Sequence, residues 1–440
     1  MSKKGYTTKL STIADVIQGQ SPESNFYSEC DGVPFLQGNR TFGNLYPFFD
    51  TYTHKVTKMA KKGDVLMSVR APVGALNYAP CDLCIGRGLA SIKAKDGNNQ
   101  FVYYALKYNV NNLIKQGSAT TFDSVNKDII NDFELIIPEN KIERNIIAKV
   151  LSDLDAKIEL NNKIIRELEA MAKTLYDYWF VQFDFPDEEG KPYKSSGGKM
   201  VYNAELKREI PEGWGVKTIS KWIKKDKSGD WGKEEAEGNY QLEVSCIRGA
   251  DLNGLNGNGE LKAPTRFILE KNSNKLLENH DLIVEISGGS PTQSTGRLAF
   301  ITEETLERFS TPIICSNFCK ALTLKDERYL FNFVYQWNRL YDNGVLFGWE
   351  GKTSGIKNLL FESFITNHSE VYPPSKLANK FYDFAKPIHG KIQKNLMQNQ
   401  HLTALRDWLL PMLMNGQVTV KEAEEKLSMA AEPRVKKGKL

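Results

Sequence analysis

The residues best suited to chemistry in this chain are hydrogen-bonding side chains in segments broken by glycine. Arginine, lysine, asparagine and glutamine match the edges of nucleobases, while serine, threonine and backbone amides suit phosphate. The first half offers Gln18, Gln20, Ser21, Gln37, Asn39, Arg40, Thr41, Arg70, Arg87, Ser118, Thr120 and Thr121. The second half offers Trp231, Lys233, Arg248, Ser290, Thr292, Arg297, Lys352 and Thr353. We interpret these as candidate DNA-binding residues, the alternative for each being a solvated loop or a turn cap.

A catalytic set is harder to find in the same sequence. The five histidines are scattered along the chain. We find no Asn-Pro-Pro-Tyr motif of an adenine methyltransferase, no glycine-rich cofactor loop, and no acidic cluster followed by lysine as in many nucleases. General acid–base or metal catalysis by this chain alone therefore lacks its residues.

Two short motifs suggest sites that we do not favour. Gly351-Lys352-Thr353 resembles the end of a phosphate-binding loop, but only two residues separate Gly348 from Gly351, where that loop needs four. Cys81 and Cys84 have the spacing of a metal or redox pair, yet no histidine lies at ligand spacing. We therefore expect a recognition loop at the first, free thiols at the second and no metal site.

Composition indicates a multidomain globular protein. The 440 residues favour two or three domains, with 41% apolar and 25% charged residues. The formal net charge is +4, so any DNA-binding surface must be a local patch, and between 205 and 370 acidic residues slightly outnumber basic ones. No signal peptide or membrane-spanning run is evident, so we expect a cytoplasmic protein without a membrane partner.

The chain repeats one plan twice: a strand-rich segment ends in proline, at Pro138 and again at Pro373, and a heptad-patterned helix follows. The apolar three–four spacing predicts that the two helices pair along a seam. The seam residues are Leu151, Leu154, Ile158, Asn161, Ile165 and Leu168 in the first helix, and Ile388, Ile392, Asn395, Leu402 and Leu409 in the second. Asn161 and Asn395 would fix the register, or else lie at a solvated edge of the seam.

The predicted fold is α+β, with two similar mixed α/β heads, each followed by a long helix, and the two helices form an antiparallel coiled coil. The second helix should be disturbed by Pro387 and Gly390 and run to Leu410, before Pro411 and Asn415-Gly416 end it. The predicted layout is a first head at 1–138, a helix at 139–182, a linker at 183–213 that continues neither helix nor strand, a second head at 214–371, a helix at 372–418 and a flexible basic tail at 419–440.

Two long strings connect the sequence to a known family. The run Tyr178-Trp179-Phe180-Val181-Gln182-Phe183-Asp184-Phe185-Pro186, with the continuation from Gly190 to Met200, closely resembles the central joint of type I restriction–modification specificity subunits. Leu409-Leu410-Pro411-Met412-Leu413-Met414-Asn415-Gly416-Gln417 resembles the end of their second helix. Gln18-Gly19-Gln20-Ser21-Pro22 matches the glycine-rich loop near the start of their recognition domains.

The resemblance implies a non-catalytic subunit that reads a bipartite target in double-stranded DNA. Its partners would be two methyltransferase (M) subunits and restriction/translocase (R) subunits, with S-adenosylmethionine, ATP and Mg²⁺ bound by those partners. The alternative is a scaffold or decoy that binds methyltransferase subunits without reading DNA. An autonomous nuclease is a third, less favoured reading.

A change in helix length tests the expected role of the helices as a spacer. Removing one turn from both helices should change the number of unread base pairs but keep both half-site sequences, because the heads are untouched. The measurement is sequencing of methylated adenines with the native and shortened chains. A change in half-site sequence would contradict a spacer role.

Overall fold

A computed structural model describes residues 6–118, 125–257, 259–288, 293–353 and 355–418, without the side chains of 111–118 and 352–353. The chain divides into two compact units. The first combines Met1–Leu160 with Asn399–Leu440, and the second is Asn161–Gln398. The division runs through both long helices, because the two parts of each helix contribute to different cores.

Within the described residues, the first unit contains a head of short strands and helices. Its strands are β1 (Tyr6–Lys9), β2 (Ala14–Gln18), β3 (Tyr27–Ser28), β4 (Val33–Leu36), β5 (Tyr52–Thr53), β6 (Met59–Ala60), β7 (Val65–Ser68), β8 (Leu76–Tyr78), β9 (Leu83–Ile85), β10 (Leu89–Ala94) and β11 (Glu134–Ile137). Its helices are α1 (Leu10–Ile13), α2 (Asn99–Ser118) and α3 (Lys127–Asp132), and the long helix α4 (Lys141–Tyr176) starts in this unit.

The second unit contains the rest of α4 and the second head. Its strands are β12 (Met200–Asn203), β13 (Arg208–Pro211), β14 (Gly215–Thr218), β15 (Ile223–Ser228), β16 (Tyr240–Ile247), β17 (Thr265–Leu269), β18 (Asp281–Glu285), β19 (Ser287–Gly288), β20 (Leu298–Phe300), β21 (Ile313–Cys315), β22 (Cys319–Leu324), β23 (Glu350–Thr353), β24 (Ile356–Leu359) and β25 (Ser369–Tyr372). Its helices are α5 (Leu252–Asn256), α6 (Glu303–Leu306), α7 (Leu330–Asp342), α8 (Phe361–Asn367) and the first part of α9 (Ser375–Met414).

The two heads share the main parts of their sheet topology, which confirms the predicted pair of similar α/β heads. A four-stranded sheet has the order β2-β10-β7-β8 in the first head and β15-β22-β18-β20 in the second. Beside it, β4 pairs in parallel with β9, and β16 pairs in parallel with β21. Each head closes with an antiparallel pair before its long helix, β1 with β11 and β14 with β25.

In the first unit, both long helices complete the core of the head. Leu151 and Leu154 of α4, and Leu409 and Leu413 of α9, belong to one buried cluster with the strands and with α2. Ile158 is buried too, and Leu402 packs against the cluster. The head therefore depends on residues from the far end of the sequence.

A buried ion pair joins the two helices within this unit. The Arg406 guanidinium donates to the Asp155 carboxylate at 2.6 Å, and the Tyr104 hydroxyl donates to the same carboxylate at 2.6 Å. Asp155 is 3% exposed. A buried carboxylate with two strong donors is satisfied only in one arrangement of the helices.

In the second unit, the helix parts pair in antiparallel fashion. The Asn161 side-chain amide donates to Gln398 at 2.8 Å, and further along α4 the Tyr176 ring meets Phe381 at 5.7 Å. Between these contacts lie the buried residues Ile165, Ile388 and Ile392, with Leu168 half-buried. Asn395 is 4% exposed, and its side-chain nitrogen has no hydrogen-bond acceptor among the described residues.

The second helix is more regular than its sequence predicts. We expected Pro387 and Gly390 to disturb α9, and Pro411 with Asn415-Gly416 to end it; the helix instead continues unbroken through Pro387 and Pro411 and ends at Met414, directly before Asn415. Ala385 and Ile392, both 0% exposed, flank the proline, so tertiary packing offsets the lost backbone hydrogen bond. At Gly390 a Cβ atom would lie 2.8 Å from Glu304 Oε1, the mobile end of a side chain that could move aside.

The expectation that 183–213 contains no strand was wrong. Strands β12 and β13 form a hairpin there. The Asn203 side chain accepts from the Leu206 amide at 2.9 Å, and such side-chain turns favour reversal of the chain. Val201 and Tyr202 also suit extended backbone.

The other features of the fold can be stated briefly. All six cysteines are free thiols. None of the described helices has the length and apolar character needed to cross a membrane.

Replacing Asp155 tests the buried ion pair. Asp155→Ala should lower the free energy of unfolding by about 3–5 kcal/mol, because Arg406 would be left buried without its main counter-charge. The control is Asp153→Ala, which removes an exposed partner of Lys149 and should change stability by less than about 0.5 kcal/mol. Urea denaturation of the full chain measures both. Equal effects of the two variants would contradict a stabilising role for the pair.

Candidate nucleic-acid interface

Three loops meet at one end of the parallel strands of the first head. They follow β2, β4 and β9. Ser21 donates to the Gln37 side chain at 2.9 Å, and the Arg87 amide donates to the Ser21 hydroxyl at 3.2 Å. The Gln20 amide also donates to the Ile85 carbonyl at 2.9 Å. The structure thus brings Gln20, Ser21, Gln37 and Arg87 together.

Glycine makes this meeting possible. A Cβ atom on Gly19 would lie 2.2 Å from the Gly86 carbonyl oxygen, which no side chain could tolerate. At Gly88 a Cβ atom would lie 2.7 Å from the Gln37 carbonyl oxygen. The loops can therefore approach closely only without side chains at these positions.

An open cavity of about 460 Å³ lies between these loops, with Ser21, Gln37, Arg40, Thr41 and Arg87 in its lining. The Arg40 guanidinium donates to Asp50 at 2.7 Å, and this hydrogen bond lowers the pKa of the Asp50 carboxyl. Thr41 is 3% exposed, and its hydroxyl has no hydrogen-bond partner among the described residues.

Arg70 and Arg87 are the most available cations of this group. Both are exposed, and neither guanidinium has a hydrogen bond or ion pair within the described part of the chain. Gln18 ends β2 half-buried, and Asn39 is half-buried in the loop after β4. Ser118 ends α2 with its side chain undescribed, while Thr120 and Thr121 lie outside the described residues.

The second head places its predicted arginines differently. Arg248 donates to Asp251 through two nitrogens, at 2.8 and 3.1 Å. Arg297 donates to Glu285 through two nitrogens, at 2.9 and 2.7 Å. These hydrogen bonds raise the pKa of both guanidinium groups, and each arginine is paired with a carboxylate of its own head, although the Arg248 side chain remains 34% exposed.

The remaining candidates of the second head are partly occupied or undescribed. Lys233 pairs with Glu237 at 2.9 Å, and the half-buried Trp231 lies beneath the Arg266 guanidinium at 3.8 Å. Lys352 and Thr353 lie on β23, and their side chains are not described. Ser290 and Thr292 lie outside the described residues.

Backbone hydrogen bonds establish which positions of the two heads correspond. The Gly86 amide donates to Leu36, and the Ser316 amide donates to Ile247, both at 2.8 Å. The residues after these acceptors, Gln37 and Arg248, therefore occupy the same place.

The glycine of the first loop is repeated as well. A Cβ atom on Gly229 would lie 2.0 Å from the Ser316 carbonyl oxygen, as one on Gly19 would approach Gly86. The same close contact between loops is thus built twice, with different side chains around it.

The arrangement suits binding more than catalysis. Its exposed groups are amide, hydroxyl and guanidinium donors, which fit base edges and phosphates. Within the described residues no group of three or more His, Cys, Asp or Glu side chains could hold a metal ion.

Comparison with known proteins agrees with this class of site. Residues 4–170 match the type I restriction modification DNA specificity domain. The chain is 41% identical over 163 residues to the MjaX specificity subunit of Methanocaldococcus jannaschii, a match covering 36% of this chain and 38% of that relative. It is 25% identical over 432 residues to the type I restriction enzyme MjaIX specificity subunit of the same organism, covering 94% of this chain and 93% of the relative.

A solved structure extends the similarity of fold to both heads. The S subunit of a type I restriction–modification system from M. genitalium aligns over 93% of this chain and 96% of its own, with a TM-score of 0.57 and 17% identity. The matched domain and the full-length relative make this chain similar to the specificity subunits of type I restriction enzymes.

Arg87 offers a direct test of the first cavity. Arg87→Ala should weaken discrimination at one base position of one half-site by about 1–3 kcal/mol, because an unpaired arginine is free to donate to guanine. Lys93→Ala is the control, since this exposed cation lies at the opposite end of β10. Binding to a set of single-base target variants measures the effect. A uniform loss over all variants would instead assign Arg87 to a phosphate.

Proposed function

We propose that this chain is the DNA-reading subunit of a type I restriction–modification complex, in which each head reads one half of a bipartite target. The observation that carries the proposal is the repeated contact between loops at Gly19 and Gly229. Duplicated scaffolds with different exposed side chains suit a target with two different half-sites.

The local chemistry supports direct reading by the first head. Glutamine can pair with adenine and arginine with guanine in the major groove. Gln37 is held by Ser21 at the cavity, while Arg87 extends from the adjoining turn without an internal partner in the described chain. Fixed backbone with exposed donors is the arrangement that base recognition needs.

We further propose that the chemical steps belong to partner subunits. Two methyltransferase subunits would bind S-adenosylmethionine and modify adenine, and restriction subunits would use ATP and Mg²⁺. This chain would then contribute no catalytic group, in agreement with its lack of methyltransferase and nuclease sequence motifs. The partners would also supply phosphate contacts beside the second head, whose own sequence is slightly acidic.

Adenine-methylation sequencing of a host that expresses this chain with its methyltransferase partner tests the proposal. We expect a bipartite motif with a fixed gap that disappears when this chain is omitted. Exchanging the first head for that of a relative should replace one half of the motif only. A stable complex that gives no chain-dependent methylation would favour a scaffold or decoy instead.

A further inference from the structure

We propose that Phe318 is a specificity-determining residue of the second head, which contacts the methyl group of a thymine in its half-site. The inference rests on the proposed function, because it takes the loops around Gly229 as the DNA-binding end of the head. A search for hydrogen-bonding side chains would not identify Phe318, because its contact with the base would be apolar.

The position of Phe318 follows from the correspondence between heads. In the first head the Leu89 amide donates to Gly86 and the Val69 amide to Gly88. In the second head the Cys319 amide donates to Ser316 and the Ile286 amide to Phe318. Phe318 therefore stands where the first head has Gly88, beside the cavity.

The two heads differ at this position as much as side chains can. At Gly88 even a Cβ atom would lie 2.7 Å from the Gln37 carbonyl oxygen. In the second head the same turn carries a phenyl ring that is 56% exposed. A single exposed aromatic side chain is common on protein surfaces. The proposal therefore rests on the position of Phe318 in the loop that corresponds to Gly88, and not on its exposure alone.

The turn that carries Phe318 is held firmly. Cys315, Ser316 and Cys319 are each at most 2% exposed. The Phe318 carbonyl accepts from the Ile286 and Ser287 amides at 2.8 and 3.2 Å, and the Ser316 amide donates to Ile247. The ring is thus presented by fixed backbone, so binding would not have to order the turn that carries it.

The two predicted arginines of this head are engaged, whereas Asn317, at the place of Arg87, is exposed beside the ring. Arg248, at the place of Gln37, is paired with Asp251, and Arg297 is paired with Glu285. The thymine methyl is the apolar feature of the major groove and accepts contact from phenylalanine. An exposed phenyl ring near two arginines that are already paired with carboxylates therefore suits contact with a thymine methyl group.

The test uses the complex of this chain with its methyltransferase partner and the target found by methylation sequencing. Each thymine of the second half-site is replaced in turn by uracil, which lacks only the methyl group. We expect one replacement to weaken binding to the native complex about fourfold, as loss of one buried methyl group implies. With Phe318→Ala the same replacement should have no effect.

Two further variants keep the test decisive. Phe318→Leu retains an apolar side chain and should keep part of the methyl preference. Tyr202→Ala removes an aromatic side chain that is 64% exposed on the β12–β13 hairpin and should leave the preference unchanged. Thermal melting shows whether each variant is folded.

The inference fails if the second half-site contains no thymine, or if uracil weakens native and Phe318→Ala complexes equally. Insertion of the ring between base pairs would also overturn it, and would appear as Phe318→Ala weakening binding to thymine and uracil duplexes alike. The proposed function itself fails by a different result, namely the absence of any chain-dependent methylation motif.

Discussion

The core of the first unit forms only when both long helices pack into one buried cluster. Its strands and α2 supply only part of the core; α4 adds Leu151 and Leu154, and Leu409 and Leu413 join from near the end of the sequence. Burying a leucine side chain contributes about 1.5–3 kcal/mol. Together, these leucines therefore contribute free energy comparable to a substantial fraction of the free energy of unfolding of a typical domain. The Asp155–Arg406 ion pair restricts how α4 and α9 can be arranged, because a buried charge is satisfied by few partner positions.

The two heads share a backbone scaffold but carry different exposed side chains. Parallel pairing beside a four-stranded sheet, and glycine at the loop contact, recur in both. The exposed groups do not recur: glutamine and a free arginine mark the first head, while the second has paired arginines and an exposed phenyl ring. Such a division allows the reading surface to change by substitution in loops without loss of the core.

Sequence patterns predicted the helices and the repeat well, because both depend on local spacing of apolar residues. Asn161 and Asn395 were placed on the seam, and both are buried. The patterns failed where tertiary packing overrides local preference. Pro387 does not interrupt α9, and the linker contains a hairpin.

The sequence patterns also could not show that Arg248 and Arg297 have carboxylate partners. These partners lie 3 and 12 residues away and meet the arginines only in the folded head. Phe318 could have been found by aligning Gly86-Arg87-Gly88 with Ser316-Asn317-Phe318, but the weak similarity of these turns conceals the match.

The composition of the first unit from both ends of the sequence has a consequence for folding during synthesis. The ribosome completes Met1–Leu160 long before it reaches Asn399. At roughly 5–20 residues per second, the nascent first head waits on the order of 10–50 s while the whole second unit is made. Throughout that time the apolar face of α4 at Leu151 and Leu154 lacks its partner helix. The unfinished chain must therefore tolerate an exposed apolar surface until α9 has been made. A product that ends before α9 would keep this surface exposed permanently.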